Sequence, residues 1–315
     1  MAVLWGHFNV KPPKRIITGP CGYELNLTQR TVFGIDYLVG KESIIQLKDS
    51  IGRIKVGVMA DFHGDYETTR RLAKILSLEG VDAILMLGDL VNAFGPLKNL
   101  VSEVDETKRI LSSVLDNSTV PVLVIPGNHD RRQSYSLATG ELSLQYSHLF
   151  DLDVRPIMQL SDLTIVGLGG VINERACVEG GFIRGTSPFK NLGTLATKYE
   201  RTVPTLFMTH MPQLYRTENG LDYNEEIALN DGNTTLMLTR KAVNSKFAVS
   251  GHFHRNARVI GKDEILLDRG EWSEYLDLNP GSVYNKSIVD TVSDLVPSVG
   301  VLEFKGYFAR ASILR

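Results

Sequence analysis

The chain has 315 residues, 43% hydrophobic and 22% charged, which is enough apolar side chain for a large core and excludes intrinsic disorder and fibrous repeats. Its 34 Lys and Arg stand against 36 Asp and Glu, a net charge of -2. That leaves no global basic field for a phosphate backbone, so nucleic acid is not indicated as a partner.

Residues 1–19 hold no basic region ahead of an apolar stretch, and Pro12 and Pro13 fall where a signal helix would continue. No export signal is therefore expected. The most apolar runs are far shorter than the roughly 20 residues that cross a bilayer. Cys21 and Cys177 form neither a disulfide framework nor a CxxC pair. They read as ordinary thiols in a reducing, cytoplasmic setting without a membrane.

Ahead of residue 54 only 31–39 reads as strand. From 54 to 130 the pattern runs twice through apolar run, polar loop and helical period, the mark of a parallel sheet with crossover helices. Strand 54–60 precedes a helix that carries Leu72, Ile75 and Leu76 on one stripe. Strand 83–87, a helix over 103–115 and strand 120–125 follow. Residues 141–150 read as helix and contain His148. Later strands are expected at 163–168, 205–208, 247–249, 264–267 and 299–304, some of them antiparallel. The long polar stretches 173–193 and 211–232 are candidate lids. Asp222, Glu225, Glu226 and Asp231 read as a solvated loop face.

Five of the seven histidines fall directly after a predicted strand. Ligands of open α/β sheets gather at the carboxyl ends of strands, so these residues point to one shared site. In order, the strand ends read Asp61-Phe62-His63, Gly88-Asp89, Gly127-Asn128-His129-Asp130, Thr209-His210 and Gly251-His252-Phe253-His254. The two-residue spacing in Asp61/His63 and His252/His254 lets an extended backbone aim both side chains the same way. Asp61, His63, Asp89, Asn128, His210, His252 and His254 offer seven oxygen and nitrogen donors, too many for one tetrahedral zinc. They suit two metal ions, with Asp89 placed to bridge them. A set without thiolate favours Zn, Fe or Mn.

These five motifs in this order resemble the calcineurin-like metallophosphoesterases. The resemblance covers about residues 54–284 and includes the turn Asn279-Pro280-Gly281-Ser282. It implies an α/β sandwich of two mixed β-sheets flanked by helices, with 54–315 as the phosphoesterase domain and 1–53 as an amino-terminal extension. It implies one metal on Asp61, His63, Asp89 and His254, and a second on Asp89, Asn128, His210 and His252. Two divalent cations roughly 3.5–4 Å apart clamp the oxygens of an in-line displacement and acidify a water into the attacking hydroxide. His129, outside that ligand set, is assigned to the substrate with its neighbour Asn128, as a charge stabiliser or as the acid for the leaving oxygen.

The protein phosphatase branch of that family orients this histidine with an aspartate where this chain has Asn92, and continues Arg-Gly where this chain has Ala93-Phe94-Gly95. Activity of that type is not expected. The substrate class is a small phosphate ester, with phosphodiesterase and phosphomonoesterase both open. The alternatives are a non-catalytic scaffold of the same fold, or a nuclease. Asp65 is expected to cap the first helix. Arg131, Arg132 and Arg255 are expected at the solvated surface.

Overall fold

The computed structural model describes residues 27–48, 52–91, 99–172, 177, 179–196, 203–224, 229–255, 257–284 and 296–315. Cys21, His7, Asn92–Gly95, Glu225 and Glu226 lie outside them. The described strands are β1 (Thr28–Val32), β2 (Ile35–Val39), β3 (Ser43–Leu47), β4 (Ile54–Met59), β5 (Ala83–Met86), β6 (Val122–Val124), β7 (Leu149–Asp151), β8 (Ile157–Gln159) and β9 (Thr164–Leu168). They continue as β10 (Thr205–Thr209), β11 (Tyr223–Asn224), β12 (Leu229–Asn230), β13 (Phe247–Val249), β14 (Arg258–Ile260), β15 (Leu276–Asn279), β16 (Val299–Lys305) and β17 (Phe308–Leu314). The helices are α1 (Tyr66–Leu78), α2 (Leu100–Leu115), α3 (Arg132–Gln145), α4 (Ser187–Ala196) and α5 (Thr234–Ala242).

Two mixed sheets face each other. One has six strands in the order β17-β16-β4-β5-β6-β7, the other nine in the order β1-β2-β3-β8-β9-β10-β13-β15-β14. β4 to β7 run parallel, as do β9, β10, β13 and β15. Strands buried on both faces need near-continuous apolar sequence, and β5 supplies it. Ala83 and Leu85 point into the core between the sheets with Val56, Leu123, Ile165, Leu206 and Leu302. Ile84 and Met86 point the other way, against Leu72 and Leu76 of α1 and Ile110 and Leu111 of α2. On the far face of the nine-stranded sheet, Phe189 and Leu192 of α4 and Leu236 of α5 cover Val166 and Phe207. No helix among the described residues is long and apolar enough to cross a membrane.

Asp65 caps α1, its carboxylate accepting from Thr68 N at 3.0 Å. The segment 31–39 is not one strand but the inner part of a hairpin, because Phe33 and Gly34 both take left-handed dihedrals and turn the chain between β1 and β2. That hairpin continues into β3, which pairs in parallel with β8 and leaves β1 at the edge of the nine-stranded sheet.

The helix expected at 141–150 ends at Gln145, and Leu149 and Phe150 belong to β7. Tyr146 adopts extended dihedrals and stops the helix. The strand expected at 264–267 does not form. Asp263 and Glu264 have φ of 58° and 60°, and two successive left-handed residues cannot lie in a strand. The next strand is β15, whose buried Asp277 and Asn279 interrupt its apolar pattern. Asp277 is tolerated because Arg240 pairs with it at 2.6 Å and the Tyr215 hydroxyl donates to it at 2.7 Å.

Asp222 is fully buried rather than solvated. Its carboxylate accepts from Tyr215 N at 3.0 Å, Gly232 N at 2.9 Å and Asn230 Nδ2 at 2.7 Å. Together with Glu264, which accepts from Arg216 N and Thr217 N, it pins the described part of 211–232.

Candidate metal centre

The carboxyl ends of β4, β5, β6, β10 and β13 meet between the two sheets, and each brings one of the sequence motifs. The loops after β4 and β5 are zipped together: Asp61 N donates to Gly88 O at 3.1 Å, and Phe62 N and His63 N donate to Asp89 O at 2.8 and 2.9 Å. Gly251 N donates to His210 O at 2.9 Å and joins the loops after β10 and β13.

This convergence bends the backbone into unusual shapes. Asp61, His63, Asp89 and His252 have φ of 56°, 44°, 56° and 71°, conformations that cost about 1–3 kcal/mol for a residue with a side chain and cluster at functional sites. Gly88 has φ of 92°, and a Cβ there would lie 2.2 Å from Gly127 N. Only glycine lets the β5 and β6 ends approach this closely.

One donor atom each from Asp61, His63, Asp89 and His254 lies within 4.8 Å of the others. His63 Nε2 is 3.0 Å from His254 Nε2, and His254 Nε2 is 3.5 Å from Asp61 Oδ1. A second group adjoins the first. His210 Nε2 is 2.7 Å from Asn128 Oδ1 and 3.4 Å from Asp89 Oδ2, and His252 Nδ1 is 3.0 Å from the same Asn128 oxygen. Asp89 touches both groups, with Oδ2 3.9 Å from His63 Nε2. All seven predicted donors are thus brought together. His129 stands beside them, its backbone N donating to Asp89 Oδ1 at 2.8 Å and its Nε2 3.9 Å from Asp89 Oδ2. Asp61, Asp89 and His210 are fully enclosed, whereas the His254 side chain is 32% exposed. The cluster therefore opens to solvent on the His254 side.

Burial and neighbouring charges shift these groups in different directions. Burial, helped by His254, pushes the His63 imidazole down to about 3, and burial with His210 pushes His252 down to about 4. Both rings are neutral at neutral pH and keep a lone pair. Burial would raise the Asp89 carboxyl, but His210, His129 and His63 outweigh it and hold it well below the usual carboxylate range. Asp61 is lowered too, against burial, by His254. Burial would lower His210, yet Asp89 lifts it up to about 9. Its Nδ1 faces Leu87 O at 2.7 Å, which turns Nε2 toward Asp89 and Asn128. A buried set of imidazole nitrogens and carboxylate or amide oxygens, aimed at one another with no thiolate among them, fits divalent cations of the Mn, Fe or Zn kind.

Asp130 escapes the motif reading, although it belongs to Gly127-Asn128-His129-Asp130. Its buried carboxylate accepts from Gly127 N at 2.7 Å, Asp89 N and Leu90 N at 2.9 Å, and Val91 N at 3.4 Å. It sets the shape of the two loops that carry Asp89 and Asn128. The 279–282 turn braces the other side: Asn279 Nδ2 donates to Phe253 O at 3.0 Å and Ser282 Oγ to Asp61 O at 2.8 Å.

Arg131 does not lie free in solvent, whereas Arg132 is exposed as expected. Arg131 pairs with the buried Glu103 of α2 and donates to Glu179 O at 2.9 Å, and the Arg132 guanidinium sits 5.3 Å from the Phe182 ring centre. Arg255 is exposed. His148 is buried with Nε2 3.3 Å from Leu115 O, remote in role from the cluster.

Comparison with known proteins gives the class. The family model described as calcineurin-like phosphoesterase matches residues 54–256. The chain belongs to that family. One solved structure overlays 84% of this chain and 99% of its own at 12% identity, with a TM-score of 0.62. TT1561 of Thermus thermophilus is 13% identical over 83% of this chain and 99% of its own, with a TM-score of 0.53. A dimetal phosphatase from Danio rerio is 12% identical over 82% and 98%, with a TM-score of 0.50. Likeness at such identity shows a shared fold. No curated protein sequence matches the chain.

Proposed function

We propose that the protein is a metal-dependent phosphoester hydrolase with a dinuclear centre, acting on a small phosphate ester. The observation that carries this reading is the convergence of Asp61, His63, Asp89 and His254 donor atoms within 4.8 Å, with Asn128, His210 and His252 against the same Asp89. The first four would hold one divalent cation, and Asp89, Asn128, His210 and His252 the other. Bound there, the cations supply Lewis acidity toward phosphoryl oxygens and acidify water.

The chain's own part is to hold these donors rigidly and leave one side open. The zipped loops and the Leu87 carbonyl behind His210 fix the donors, and the His254 side admits the phosphate. His129, anchored through its backbone to Asp89, faces the substrate and gives a proton to the departing oxygen, with Asn128 beside it. The family and the Danio rerio dimetal phosphatase support phosphoester cleavage. The net charge of -2 supports a small substrate over nucleic acid, and the sparse cysteines support a cytoplasmic setting.

The test is metal analysis of the purified protein with hydrolysis of paired aryl phosphate monoesters and diesters in Mn²⁺, Zn²⁺ and Fe²⁺. The expected result is two equivalents of metal and turnover of at least one ester class. A protein loaded with metal that cleaves neither would overturn the reading.

A further inference from the structure

Tyr284 ends the turn that braces the metal centre. Its backbone N donates to Asp61 O at 3.2 Å and to Ser282 Oγ at 3.0 Å, and Val283 N donates to Ala60 O at 2.9 Å. The root of its side chain is thus fixed relative to the first donor of the cluster. Its ring lies edge-on to His63, with centroids 5.7 Å apart and planes at 66°. His254 meets the same imidazole at 4.8 Å. His63 is buried, whereas Tyr284 and His254 are both partly exposed. The two rings therefore form the solvent-side rim of the cluster on the His63 side.

We infer that Tyr284 touches the substrate itself, packing its ring against the alcohol portion of the phosphoester and favouring esters of flat, aromatic alcohols. The inference rests on the hydrolase reading above. A neutral ring on the rim of a site built for an anion adds no charge to attract phosphate; beyond the one hydrogen bond its hydroxyl can donate, what it offers is a flat apolar face. The part of the substrate that can use such a face is the esterified group, which must project outward once the phosphate sits over the buried donors. Aromatic pairs gain energy beyond area burial, enough for about a two- to tenfold preference.

The experiment compares benzyl with ethyl ligands, whose alcohols are of comparable acidity. Binding of benzylphosphonate and ethylphosphonate to the metal-loaded protein is measured by calorimetry. Turnover is measured on benzyl and ethyl phosphate and on their methyl diesters. Tyr284→Ala should lower the benzyl-to-ethyl ratio about two- to tenfold in both binding and kcat/KM, with unchanged metal content. Tyr284→Phe should keep the wild-type ratio, and Tyr284→Leu, which keeps apolar bulk, should lose it. An equal fall for both ligands would reduce Tyr284 to a support for His63 and overturn the inference, as would an unchanged ratio. Wild-type protein that cleaves ethyl esters, with a benzyl-to-ethyl ratio that Tyr284→Ala leaves unchanged, sinks this inference alone. Metal-loaded wild type that cleaves nothing sinks the hydrolase reading with it.

Discussion

Replacing Asp130 by alanine tests whether the metal centre depends on a residue that is not itself a proposed ligand. The Asp130 carboxylate is buried and takes four backbone N–H groups, three of them at 2.7–2.9 Å. Each buried donor left without an acceptor costs about 1–3 kcal/mol, so the three short bonds put the loss at about 3–9 kcal/mol. Water entering the vacated space offsets part of this, which favours the lower half of the range. Against a total of roughly 5–15 kcal/mol for a folded domain, that is a large fraction.

Asparagine is not a neutral substitute. Its single oxygen serves either the Leu90 or the Gly127 side, and its amide then faces N–H groups on the other. Urea denaturation of both variants should show midpoints well below wild type. Metal content should fall in parallel, because Asp89 and Asn128 lose their shared frame. An Asp130→Ala protein within about 1 kcal/mol of wild type, with its metals retained, would refute the idea that this carboxylate shapes the loops.

Asp89→Asn should lower the content of both metals and abolish hydrolysis, as read by elemental analysis beside activity; normal values for both would remove its bridging role. His129→Ala should retain two metals while turnover drops about 10²- to 10⁴-fold, and an unchanged rate would take it out of the reaction. Asp151 gives a test remote from the centre: burial, helped by the Asp153 carboxylate, raises its carboxyl up to about 7. Between about 4 and 7 the folded chain binds a proton that the unfolded chain has released, so stability should fall as pH rises through that window. Asp151→Asn, whose amide oxygen can still accept from Tyr135 and Asp153 N, should lessen that slope; an identical pH dependence in the two proteins would contradict it.

The proposed ligands were legible from the sequence because each follows an apolar strand at short range. Parallel strands place their carboxyl ends together, so residues far apart in the chain could be assigned to one point before any distance was known. The alternation of α and β from 54 to 130, and the capping role of Asp65, rest on the same local signals.

What the tertiary structure decided has a common physical cause: the partner that makes each feature favourable is distant in sequence. Asp130 becomes a loop organiser only because Asp89 N and Leu90 N, about forty positions away, point at it. β15 can carry a buried Asp277 only because Arg240 and Tyr215 reach it from elsewhere in the chain. The hairpin β1-β2 and its partner β3 find their place through β8, more than a hundred residues later. Periodicity records which way a side chain must face; it carries no record of which distant group will neutralise, brace or pair with it.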